Sequence, residues 1–76
     1  MSDLPDTARI KRINIAVSPA MVGAIQLVMS NEQIGLTEAV RRLLSYGDFV
    51  YRAVKVDGER LVLRDGSTER EVVLIR

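Results

Sequence analysis

Arg12, Asn14 and Ala16 stand at alternate positions in the stretch Arg12-Ile13-Asn14-Ile15-Ala16-Val17-Ser18, and their side chains suit one kind of chemistry. The arginine fork offers paired donors that match O6 and N7 of guanine. The asparagine amide offers a donor and an acceptor that match N7 and N6 of adenine, and a small methyl group can lie against the methyl of thymine. A period of two places these three on one face and Ile13, Ile15 and Val17 on the other. The segment is therefore expected to be a strand, polar outside and apolar inside. A single strand cannot stand alone, so this one requires a partner. The same outer face also suits a solvated edge strand, which charge protects from aggregation.

Other chemistries are poorly supplied. The 76 residues contain neither cysteine nor histidine, which removes disulfides and the usual zinc ligand sets. Ser18 and Ser45 lack an activating imidazole, and no Gly-x-Ser-x-Gly elbow occurs, so we expect no enzyme, no metal and no cofactor. Net charge is only +1, yet it is unevenly placed. Asp3 and Asp6 precede a run over residues 8–18 in which Arg9, Lys11 and Arg12 have no acidic neighbour. No apolar run is long enough to span a membrane, and the first eight residues lack the pattern of a signal peptide. A cytoplasmic protein is expected.

The elements that must position this segment follow along the chain. Residues 1–8 read as a flexible arm. Ser18 can cap a helix that has Pro19 at its first position, and the spacing of Met21, Val22, Ala24, Ile25, Val28 and Met29 predicts a helix to about Asn31. Gly35 is expected to take a positive φ after that helix, and Thr37 to cap a second one. The second helix is expected to start at Glu38 and to run through Val40, Leu43 and Leu44 to Val54. Residues 49–56 hold enough Val and Tyr to be argued as a strand; helix is the preferred reading. Asp57-Gly58 is a turn. Residues 60–64 and 70–75 are strand-like around Asp65-Gly66-Ser67-Thr68, which predicts a hairpin. Arg41 and Arg42 read as a solvated helix face. A chain this short buries a limited share of its surface, and 47% of its residues are hydrophobic, so we expect apolar surface to be covered by a second copy.

The order strand, Ser-Pro helix start, Gly-Leu-Thr turn and second helix resembles the ribbon-helix-helix family of Arc, MetJ and CopG type. The residues that carry the likeness are 12–18 and 35–44. The resemblance implies an α+β fold: an intermolecular antiparallel two-stranded ribbon with two helices per chain, here followed by a C-terminal β-hairpin. It implies a dimerisation and DNA-binding unit over residues 9–56 and an added hairpin over 57–76. In that arrangement Arg12, Asn14 and Ala16 contact bases in the major groove of double-stranded DNA. Arg9, Lys11 and Thr37 contact phosphates, although Glu38 beside Thr37 works against an anion there. Ile13, Ile15, Val17, Ile25, Val28, Val40, Leu43 and Leu44 form the homodimer core. The function so implied is a dimeric, sequence-specific DNA-binding protein, most simply a transcriptional repressor. The rival is a protein-binding module of the same fold, an antitoxin or scaffold, whose hairpin holds a protein partner by strand addition.

Overall fold

The computed structural model describes residues 11–74; the arm expected over 1–8, and Arg9, lie outside the described residues. The first element is α1, Pro19–Glu32. Ser18 sits in extended backbone before it, and its hydroxyl accepts the Met21 N–H at 3.2 Å. Pro19 occupies the first turn, where a missing donor costs nothing. The helix stops when Gln33 adopts a left-handed conformation, φ 54 and ψ 51. The N–H groups of Gln33 and Ile34 then both return to the carbonyl of Met29. This is a left-handed helix termination in which Ile34 tucks in, half-buried, behind the last turn.

Here the local expectation needs correcting. Gly35 does not supply the positive φ; its φ is −82, and it serves as the extended residue before α2, Leu36–Tyr51. Thr37 lies inside the first turn of α2 instead of capping it, and no side chain caps that helix. The reversal is completed two residues earlier than glycine placement implied, because Gln33 accepts the unfavourable region and offsets it by donating its side-chain amide to the Ser30 carbonyl at 2.8 Å.

With only Gln33, Ile34 and Gly35 between them, the helices fold back on each other. Ile25, Val28 and Met29 of α1 are half-buried, as are Val40, Leu43 and Val50 of α2, and Ala39 is completely covered at 0% exposure. Beyond Tyr51 the chain continues as a π-helical turn, Arg52–Val56. The Asp57 N–H reaches five residues back to the Arg52 carbonyl at 2.9 Å. Residues 49–56 are thus helical throughout. Gly58, with φ 74, then turns the chain away.

Strands β1, Leu61–Asp65, and β2, Thr68–Val72, form an antiparallel pair from Leu61↔Val72 to Asp65↔Thr68. Gly66 has φ 63, while Ser67 is not among the positive-φ residues. That is the pattern of a type II′ turn, whose twist matches the strands it joins. The two-residue turn sets the register, so β2 starts at Thr68 instead of Arg70. The inward side chains Leu61, Val72 and Leu74 are half-buried, as are Ala53 and Val54 of the helical turn. Val54, Leu61, Val72 and Leu74 line a groove where the hairpin approaches the helix end.

The fold is therefore α+β with two helices followed by a C-terminal two-stranded hairpin, and the ribbon-helix-helix assignment is not upheld. That architecture places its strand before the helices, whereas here both strands follow them and residues 11–18 belong to no strand. Alternation of side chains specifies which face each would occupy, but a strand exists only through hydrogen bonds to a neighbour. Within this chain the described residues form one sheet, and it pairs β1 with β2.

The Gln33 conformation is open to a direct check. Left-handed backbone costs an L-residue about 1–2 kcal/mol, part of which glycine recovers against its greater freedom when unfolded. Gln33→Gly is expected to raise stability by up to about 1 kcal/mol. Urea denaturation measures this against Gln33→Ala, which loses the same Ser30 bond but keeps a β-carbon; a Gln33→Gly variant no more stable than Gln33→Ala would refute the assigned geometry.

Candidate nucleic-acid interface

Lys11, Arg12, Asn14 and Ala16 are all exposed in the segment that leads into α1. No acid occurs between Asp6 and Glu32. The segment therefore feeds into the N-terminus of a helix that is uncharged up to its last residue, Glu32, and whose dipole adds partial positive charge at the same end. Its other side chains are exposed as well: Ile13 at 79%, Ile15 at 67% and Val17 to a lesser degree. An alternating segment with Arg12 and Asn14 at one parity and exposed Ile13, Ile15 and Val17 at the other leaves aliphatic groups in water at a cost.

The acids elsewhere are largely engaged. Arg42 joins Glu38, one turn earlier on α2 at 3.3 Å, to Glu32 at the end of α1. Both carboxylates hold its guanidinium above its ordinary pKa, the hydrogen bond it donates to Glu38 most of all. Arg41 lies 3.6 Å from the same Glu38. On α2 and its continuation Arg52 meets Asp48 at 2.6 Å; on the hairpin Arg60 meets Glu71 at 2.7 Å and Arg64 meets Glu69. Among the described residues Lys11, Arg12, Lys55 and Arg70 form no ion pair.

The arrangement brings some expected residues together and leaves others apart. Lys11, Arg12, Asn14 and Ala16 share one exposed segment, whereas Thr37 lies in the first turn of α2, exposed beside Glu38. Glu38 is bound by two arginines, which softens the objection it raised to an anion near that turn. Of the expected dimer core, Ile25, Val28, Val40 and Leu43 are half-buried, while Ile13, Ile15, Val17 and Leu44 face outward in the single chain. The clamp at Arg42 was missed as long as Arg41 and Arg42 were read as a solvated face. Its available signal was the Glu38-to-Arg42 spacing of one helical turn, a recurrent stabilising pair. No group of three or more metal-ligating side chains occurs among the described residues. No described helix is long and apolar enough to cross a membrane.

Compared with known proteins, the chain matches no family model, no curated protein and no solved structure.

The hairpin ion pairs have a pH signature of defined sign. Arg60 holds the Glu71 carboxyl below its ordinary value, chiefly by a hydrogen bond. A carboxylate whose pKa is depressed on folding contributes stability that is present above its unfolded pKa and lost as pH falls through the folded one. Acidification below about pH 4 is expected to speed amide exchange across the Leu61 and Val72 pair, and Glu71→Gln to remove that pH dependence. The effect is small because both side chains are well exposed. Identical pH profiles for the two proteins would show that the pair does not operate in solution.

Proposed function

We propose that the protein binds double-stranded DNA sequence-specifically as a homodimer and acts as a transcriptional repressor by occupying its site. One observation carries the reading: the exposed, acid-free segment of residues 11–17 sets Arg12 and Asn14 at alternate positions just ahead of α1. Arg12 and Asn14 are the base-reading side chains, with Ala16 against a thymine methyl. Lys11 and Arg9 supply phosphate contacts and salt dependence. Dimerisation places two such segments on one duplex and gives cover to apolar groups that one chain leaves in water. A cytoplasmic location goes with this reading.

The test is selection of bound fragments from a random duplex pool, followed by titration of the selected duplex at two salt concentrations. Arg12→Ala combined with Asn14→Ala is expected to weaken binding at least about 100-fold, since each good bidentate contact is worth ~1–3 kcal/mol and a dimer loses both copies. Undiminished affinity in the double variant would sink the proposal.

The hairpin supports a second reading, a site for a protein partner. Its sheet has only two strands, so each has an edge without a neighbour in that sheet, and Val62, Leu63 and Val73 are exposed. Open edges of this kind accept an added strand. In cells, a protein that co-purifies with the wild type is expected to be lost on Val62→Lys with Val73→Lys, with affinity for the duplex unchanged. Retention of that protein by the variant would exclude the hairpin as its site.

A further inference from the structure

The two edges of the hairpin are unlike. β1 begins Leu61-Val62-Leu63, apolar residues in succession, whereas β2 carries Glu69-Arg70-Glu71 at its centre. Charged side chains along an edge strand discourage a further strand from pairing, and an exposed apolar edge invites one. Val62 and Leu63 are 45% and 46% exposed. The two-residue turn also fixes which backbone groups are free. In such a hairpin the pair beside the turn exchanges both hydrogen bonds, and every second pair after it does the same. Asp65, Leu63 and Leu61 therefore bond inward to Thr68, Arg70 and Val72, which leaves the N–H and carbonyl of Val62 and Arg64 pointing outward on one edge and those of Glu69 and Glu71 on the other.

Charge divides the same way. Arg60, Val62 and Arg64 share one face of β1, and beside them on β2 stand Glu71 and Glu69, the acids that Arg60 and Arg64 engage. That face is cationic along the β1 edge and anionic along the β2 edge. The other face carries Asp65 next to the turn and Arg70 on β2. Arg60 and Arg64 each donate to their glutamate through one terminal nitrogen, and the two side chains are 77% and 68% exposed. A guanidinium has five N–H donors, so others remain for an incoming carboxylate.

We infer that β1 is the edge on which a partner protein adds a strand, and that this strand has an apolar centre bracketed by carboxylates about four positions apart. The inference deepens the protein-partner reading of the hairpin and rests on it, not on DNA binding. A strand added at β1 pairs with the outward groups of Val62 and Arg64, lays apolar side chains beside Leu61, Val62 and Leu63, and sets its acids beside Arg60 and Arg64, where opposite charges on neighbouring strands stabilise. At β2 the same strand would meet Glu69 and Glu71. A second copy is a poorer occupant, since antiparallel pairing of two β1 strands about Val62 sets Arg60 against Arg64 of the other copy.

The experiment titrates the isotope-labelled full chain with two short synthetic peptides, each with a run of central valines, bracketed by glutamates in one and by lysines in the other, and reads amide exchange residue by residue. We expect the acidic peptide to bind at least about tenfold more tightly than the basic one, and to slow exchange at Val62 and Arg64 while leaving Glu69 and Glu71 unchanged. Proline lacks an N–H and is tolerated at an outward position of an edge strand. Val62→Pro is therefore expected to abolish binding and Val73→Pro, on the other edge, to preserve it, with protected amides at Leu61 and Leu63 showing that the hairpin persists. Should Val62→Pro lose the hairpin, the wild-type exchange pattern decides alone. Equal binding of the two peptides, or protection confined to Glu69 and Glu71, overturns this inference and keeps the hairpin as a strand acceptor. Protection of Val62 and Arg64 that grows with protein concentration and needs no peptide assigns the edge to a second copy and overturns it too. No protection of either edge by either peptide overturns it together with the protein-partner reading.

Discussion

Burial of Ala39 between α1 and α2 is the contact around which the chain is arranged. Three connecting residues bring the two helices into contact with each other. Yet alanine brings little apolar area. Among the described residues it alone is fully covered, while leucine, isoleucine and aromatic side chains stay in water. Fully burying one such large side chain stabilises by roughly 1.5–3 kcal/mol, whereas ordering each residue's backbone costs about 1–2 kcal/mol. A helical hairpin with so slight a core gains most of its stability from whatever covers its outward apolar faces.

Electrostatics sharpens the division of labour. Acids on α2 and on the hairpin lie beside arginines of the same chain. Arg42 does most, because it reaches across the interhelical turn and fastens Glu32 of α1 to Glu38 of α2. Exposed pairs of this kind contribute little each, but they consume charge. The bases that precede α1 have no acid near them in sequence. The uneven field follows from that placement: residues 7–31 hold three bases and no acid in a chain of net charge +1.

The hairpin, closed by Gly66-Ser67, shares a groove with the π-helical turn through Leu61, Val72 and Leu74. That turn lets the helix end widen before Gly58 redirects the chain. An isolated hairpin is marginal in water, and this one approaches the helix end at Val54.

Much of this was legible residue by residue. Ser18-Pro19 marked the start of α1, the apolar spacing predicted both helices, and Asp65-Gly66-Ser67-Thr68 located the hairpin, because caps, periodicity and turn chemistry are local properties. Gln33 was not legible as the left-handed residue, since a nearby glycine was the more natural choice and only the combined geometry of Ile34, Met29 and Ser30 reveals which position turns. The site was readable as residue types, Arg12 and Asn14 at alternate positions, but not as a strand. By itself the sequence determined which side chains share a face and where charge accumulates; tertiary structure decided that the sheet forms after the helices, that residues 11–18 belong to no strand, and that among the described residues Ala39 alone is fully enclosed. The reason is physical: periodicity and capping act over a few residues, whereas strand pairing and burial depend on which distant surfaces meet.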